Sequence, residues 1–219
     1  MTSPLARATA LLMLLMSMLL AGFTQASTFT VTNTGNAGAG SLRQAITDAN
    51  ADNTATAALP HNILFAIAGA GVKTIAPTAQ FPFITRSVVI DGYSQAGSSA
   101  NSLAVGDDSV HLIEIDGTAA NITNSLFSFE SGSGGSILRG LVINRCLPRP
   151  TAVQVSTGNI KLEGNFFATN VAGTAGLGSG GVGISTGFSR IPVLSSSADR
   201  FLRRETSHPV LARASPSIT

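Results

Sequence analysis

Apolar and polar positions alternate over several short stretches of this chain, and they fall on one helical face over a single stretch. Thr28-Phe29-Thr30-Val31-Thr32 alternates strictly and predicts a strand. In the segment 41–50, Leu42, Ala45, Ile46 and Ala49 share one face of a helix. Ser41 is placed to cap its first turn, and Gln44 stands three residues later as in a capping box. Further on, runs rich in Val, Ile, Leu and Phe meet a glycine again and again. These are Val88-Val89-Ile90-Asp91-Gly92, Ile113-Glu114-Ile115-Asp116-Gly117, Ser136-Ile137-Leu138-Arg139-Gly140-Leu141-Val142-Ile143 and Ile160-Lys161-Leu162-Glu163-Gly164-Asn165-Phe166-Phe167. The four glycines are 25, 23 and 24 residues apart. A strand-forming unit at a near-constant period predicts a stacked array in which each unit buries its apolar face against its neighbours. Within a unit, Ile113 and Ile115 point one way and Glu114 and Asp116 the other. Val88 and Ile90 are then expected in the same inward sites one coil earlier, with each glycine turning a corner at positive φ. The fold class that follows is all-β, a right-handed single-stranded parallel β-helix of about four rungs with one N-terminal helix capping the open end of the stack.

The same residues carry a family resemblance. Thr28-Phe29-Thr30-Val31-Thr32-Asn33-Thr34, a glycine turn, and Ser41-Leu42-Arg43-Gln44-Ala45-Ile46 are similar to the N-terminal cap of secreted bacterial right-handed parallel β-helix proteins, known for a Cys-Ser-Leu-Arg-Glu-Ala motif. Gly40 replaces the cysteine of that motif and Gln44 the glutamate. The likeness continues through Val88-Val89-Ile90-Asp91-Gly92-Tyr93-Ser94-Gln95 to about residue 187. It implies export and the fold above, and little about activity, since such domains are usually N-terminal parts of large surface or secreted proteins.

The N-terminal segment changes the picture by adding an address. Residues 1–26 hold one charge, Arg7, then a 16-residue charge-free run from Ala8 to Phe23, then Thr24-Gln25-Ala26. The run falls short of the roughly 20 residues that span a bilayer. Small residues at Thr24 and Ala26 suit a signal peptide cleaved after Ala26, and the expected location is secreted or at the cell surface. Phe23 stands where a lipidated cysteine would be, so acylation there is excluded. Only 11% of residues are charged, against about 25% in an ordinary domain, and Trp is absent. The surface must be built from Ser, Thr, Asn and Gly. The lone Cys146 can form no intrachain disulfide and is expected to pack as a small apolar residue. Residues 27–189 hold seven basic and nine acidic residues, a balance of −2, while 190–219 hold five basic and two acidic. The basic character lies in the leader and the tail, so nucleic acid is not an expected partner.

Several residues invite a chemical reading. Asp91 and Asp116 would be stacked in adjacent rungs, close enough to hold Ca²⁺ or to divide acid and base roles, with Arg139 and His111 nearby. An Asp before a Gly is also the ordinary turn-forming pair, and that reading is preferred. His61 is expected to face solvent and His208 to lie in the tail, so no metal constellation forms. Asp107 and Asp108 project in different directions. Gly35 to Gly40 imitates a phosphate loop, but Ser41-Leu42 follows where Lys and Ser or Thr would be needed, so no nucleotide is expected. Gly176, Gly178, Gly180 and Gly181 read as a flexible excursion. The abundant Ser residues are not expected to make a serine hydrolase. Catalytic, cofactor-binding and metal-binding residues are therefore all assigned as none, and no cofactor is expected.

The chain is expected to comprise a signal peptide over 1–26, an N-terminal cap over 27–83, rungs over 84–187 and an irregular basic tail over 188–219. At Phe188 the period, the glycines and the alternation stop together, which suggests a reading frame broken there or a chain ended early, and so a truncated larger protein; a natural disordered basic tail is the alternative. Such a chain would expose strand edges and self-associate. The function expected is a non-catalytic extracellular module for surface display, adhesion or assembly, with extracellular glycans or cell-surface proteins as partners. The alternative is a fragment of a polysaccharide lyase or glycoside hydrolase.

Overall fold

The computed structural model describes residues 26–120, 125–146, 151–178, 184–186 and 200–201. The expected signal peptide, apart from Ala26, and the expected tail, apart from Arg200–Phe201, lie outside these residues. Strands β1 (Thr28–Val31), β2 (His61–Phe65), β4 (Val88–Asp91), β7 (Ile137–Arg139) and β10 (Lys161–Glu163) form sheet one in that order. Sheet two runs β3 (Lys73–Ile75), β5 (Ile113–Asp116), β8 (Leu141–Asn144), β11 (Phe166–Phe167) and β13 (Arg200–Phe201). Sheet three runs β6 (Ser125–Phe129), β9 (Thr151–Val155) and β12 (Ile184–Thr186). Every pairing between these strands is parallel.

These sheets correct the expected fold class, an all-β right-handed parallel β-helix of about four equal rungs. The described residues form three all-parallel sheets with one α-helix, an α/β-type arrangement without a constant repeat. Partners in register are 24 residues apart at Ile137↔Lys161 and Val142↔Phe166, but 48 apart at Val89↔Ile137. The 136–167 doublet does lie side by side, β7 against β10 and β8 against β11. The upstream copies do not extend it. Val88 and Ile90 belong to sheet one and Ile113 and Ile115 to sheet two, so 88–92 and 113–117 are not equivalent positions one coil apart.

The glycines show why the spacing misled. Gly92, Gly140 and Gly164 meet at one corner, between sheets one and two. A Cβ on Gly92 would strike the Gly140 carbonyl, one on Gly140 would lie 2.7 Å from Tyr93 Cγ, and one on Gly164 would strike the Tyr93 hydroxyl. Gly117 belongs to a different place, where a Cβ would lie 2.8 Å from Cys146 Sγ. Of these four glycines only Gly140 and Gly164 have positive φ, +68° and +55°. Gly92 and Gly117 instead open 3-10 turns, and they are glycine because another backbone comes close.

The core lies between the sheets. Ile63, Ile90, Leu138 and Leu162 stack in register from sheet one, Ile75, Ile115, Ile143 and Phe167 from sheet two, and Phe129 with Val155 from sheet three, all buried. Parallel strands about 4.8 Å apart bring such side chains into van der Waals contact along the axis. Helix α1 (Leu42–Ala51) lies against β1 and buries Leu42, Ala45, Ile46 and Ala49. Ser41 Oγ accepts from Gln44 N as expected, but the Gln44 side chain turns to Asp48 Oδ1, so only half of the capping box forms. Arg43 fixes the helix to the next connection, donating to the carbonyls of Asn36, Ala79 and Gln80 while lying over the Phe81 ring. His61 is corrected from solvent-facing to fully buried, edge-on to Phe29. Cys146 is buried, and burial pushes its thiol up to about 12.

The corner geometry predicts a contrast between two glycines. Gly38 and Gly140 both have positive φ, but Gly38 has nothing within 4 Å of a Cβ. Both alanine variants carry left-handed strain of about 1–2 kcal/mol, and Gly140→Ala should lose a further 1–3 kcal/mol, roughly, to overpacking against Tyr93. Urea unfolding of the two variants measures the difference, and equal losses would show that the Tyr93 contact does not set the corner.

Candidate functional site

The outer faces of sheets one and two differ in what covers them. On sheet two the outward column is Thr74, Glu114, Val142 and Phe166. Phe166 is covered by the ring of His111, centroid to centroid 4.2 Å, and Val142 has no exposure. On sheet one two outward columns remain at least partly open over most of their length. One runs Thr28, Asn62, Val89, Ile137, Lys161 and the other Thr30, Leu64, Asp91, Arg139, Glu163. Asp91 is the most covered of them. This five-strand face is the candidate site.

Its charged line is built by register. Asp91, Arg139 and Glu163 are in-register neighbours on β4, β7 and β10. Arg139 Nη2 donates to Asp91 Oδ2 at 2.7 Å, and Lys161 Nζ lies 3.9 Å from Glu163 Oε1. The hydrogen bond to Asp91 raises the Arg139 guanidinium above its ordinary value, with the Glu163 charge adding to it. Asp91 Oδ1 accepts from Tyr93 N at 3.0 Å, so this carboxylate is shared between a turn and an ion pair.

The segment following Asp91 is a set of stitches. Tyr93 Oη donates to Gly164 O at 2.8 Å, Ser94 Oγ accepts from Phe65 N at 2.7 Å, and the Gln95 amide pairs with both backbone groups of Ile67 at 2.9 Å. Asp91-Gly92-Tyr93-Ser94-Gln95, the most motif-like string in the sequence, thus ties β2 and its continuation to the corner. His111 joins the same corner, with Nε2 donating to Gly164 O at 2.8 Å and Nδ1 3.4 Å from Ser109 Oγ.

Asp116 is not brought to Asp91. It caps its own 3-10 turn through Thr118, and its other oxygen accepts from Arg145 Nη1 at 3.0 Å. Glu114, two residues earlier, is buried and accepts from Thr74 Oγ1 and Asn144 Nδ2, each at 2.8 Å, and from Arg145 at 3.3 Å. The sequence showed Glu114 as an outward carboxylate; Arg145 as its partner was missed, because β5 and β8 become neighbours only in register. Asp107 and Asp108 fold back on Ser109 and Ser102 respectively, and the bonds from Ser102 hold Asp108 below the ordinary carboxylate range. The Gly35–Gly40 loop is closed on Asn33, which bonds Gly35 N and Ala39 O. His208, Gly180 and Gly181 lie outside the described residues. Among the described residues no group of three His, Cys, Asp or Glu could hold a metal ion, and no helix is long and apolar enough to cross a membrane.

Comparison with protein-family models, with curated proteins and with solved structures finds no match to this chain.

The buried His111 makes a prediction about acid. Burial lowers its pKa, against smaller opposing effects of Gly164 O and Asp107. The unfolded chain, titrating near 6.5, then binds the proton more readily than the folded one. Stability should fall as pH drops from about 6.5 through the lower folded value. Thermal melts at pH 7.5 and 5.0 measure this, and His111→Gln should flatten the loss. An unchanged loss in that variant would place the acid sensitivity elsewhere.

Proposed function

We propose that the chain is a non-catalytic extracellular module for surface display, adhesion or assembly, which presents the outer face of sheet one to extracellular glycans or cell-surface proteins. The observation that carries this reading is the open face itself. Five parallel strands in register, about 4.8 Å apart, present two outward columns that are polar or charged except at Leu64, Val89 and Ile137. A repeating surface of this kind suits an extended polymer or a flat partner better than a compact substrate. The charged residues that a carbohydrate-cleaving site would use support the same reading. Asp91 and Asp116 are on different sheets, each held by a turn and an arginine, so the stacked pair that acid and base roles require is not assembled.

Binding of the exported chain to a panel of acidic and neutral glycans and to whole cells tests this. The pair Arg139→Ala with Lys161→Ala should weaken binding about tenfold, which corresponds to roughly 1.4 kcal/mol. Lys161→Ala alone should change melting little, since an exposed ion pair contributes about 0–1 kcal/mol, and Arg139→Ala should cost more because it leaves the covered Asp91 carboxylate without its cation. Release of reducing ends or unsaturated products, abolished by Asp91→Ala or Asp116→Ala, would overturn the proposal in favour of a polysaccharide lyase or glycoside hydrolase.

A further inference from the structure

Three separate segments meet at Ser27. Its backbone N–H donates to His61 Nδ1 at 3.1 Å, its hydroxyl donates to Asp52 Oδ2 at 2.6 Å, and its carbonyl accepts from Asn62 N at 2.8 Å. His61 is fully buried, and its Nε2 donates to the Asp52 carbonyl at 3.1 Å, which leaves Nδ1 as a lone-pair acceptor aimed at the Ser27 nitrogen. Asp52 is the C-cap of α1, and its other oxygen accepts from Thr54 N and Oγ1.

Among the described residues, no cation is bonded to this place. The C-terminal end of a helix carries roughly half a negative charge from its unpaired carbonyls and is stabilised by a positive group. The last turn of α1 holds no basic residue, and an aspartate caps it. Arg86 is turned to Asn53 and to the Thr85 carbonyl. As an internal amide, the Ser27 nitrogen offers one hydrogen and no charge. The sequence places small residues at Thr24 and Ala26, the pattern that precedes a cleaved bond, and the first strand begins at Thr28.

We propose that Asp52, His61 and the end of α1 form a binding site for this chain's own α-ammonium group, created when the Ala26–Ser27 bond is hydrolysed. An endopeptidase with small-residue preference adds water across the amide. The water oxygen goes to Ala26, which leaves as a carboxylate, and both water protons end on the Ser27 nitrogen, which at neutral pH is –NH₃⁺. One N–H keeps the bond to His61 Nδ1, and the new charge faces the Asp52 carboxylate and the helix end. The titratable groups facing the ammonium are Asp52 from α1 and His61 from β2. Bonds from Ser27 and Thr54 hold the Asp52 carboxyl down at about 2, so it is ionised at neutral pH together with the charged amine. Processing then adds an electrostatic latch between the first strand and the capping helix.

The inference rests on the exported reading but not on what sheet one binds. The intact mass and N-terminal sequence of the exported chain are expected to begin at Ser27, and any other first residue overturns the processing step. Three otherwise full-length mature forms then test the latch: one starting at Ser27, one retaining Ala26, and one acetylated on the Ser27 nitrogen. The last two should melt about 2–4 °C below the first. In Asp52→Asn the three forms should melt together, whatever that substitution costs in itself. The α-amine of the Ser27 form should titrate above its ordinary value of about 8 by NMR. Equal melting of the three forms in the unsubstituted protein, or an ordinary amine titration, would overturn the site.

Discussion

The close approach of backbones at the corner between sheets one and two is the constraint on which most of the fold depends. Between β7 and β8 there is one residue, Gly140, and between β10 and β11 there are two, Gly164 and Asn165. So short a connection must turn the chain sharply while keeping both flanking strands in register with their neighbours. Positive φ at the two glycines makes the turn, and the Tyr93 ring fills the space their missing side chains leave. Asn165 is buried and satisfies the backbone groups released at the bend, accepting from Leu141 N at 3.1 Å and donating to Leu138 O at 2.8 Å. Without those two bonds the corner would bury unpaired peptide groups, each costing about 1–3 kcal/mol.

The few charges in the chain are used in the same way. A carboxylate as buried as Glu114 is tolerable only where donors replace its water, and Thr74 of β3 and Asn144 and Arg145 at the end of β8 supply them. Arg145 reaches Glu114 and Asp116 together from a left-handed backbone conformation, φ +52°. The network ties β3, β5 and β8 across sheet two. Such a network specifies register, because a slip of one residue would turn Glu114 into the core.

What could be read in the sequence follows how local each signal is. The first strand and the helix were legible because alternation and the spacing of Leu42, Ala45, Ile46 and Ala49 lie within a few residues of each other. The 136–167 doublet was legible because its two copies are joined by the shortest interval in the fold. The fold class went astray at the next step, when Gly92 and Gly117 were counted into the same series. Spacing along the chain counts residues, whereas stacking depends on which sheet each run enters. The loop spanning 96–112 and the long excursion between β4 and β7 break the correspondence. His61 follows Pro60 in a polar stretch, so its neighbours gave no hint of burial; its partners Ser27 and Asp52 come from other segments.

The difference between the two outer faces follows from the same long excursions. Residues 95–112 leave sheet one after β4 and return beside sheet two, where His111 lies on Phe166 and Tyr93. A sheet face covered by its own connection needs apolar residues, and Val142 and Phe166 are there. A face left to solvent favours polar ones, and Thr28, Thr30, Asn62, Arg139, Lys161 and Glu163 lie there beside the apolar Leu64, Val89 and Ile137. In a chain with so few charged residues, Asp91, Arg139, Lys161 and Glu163 gather on one face with Arg139 and Lys161 left partly open, whereas Glu114 on sheet two is buried in its network.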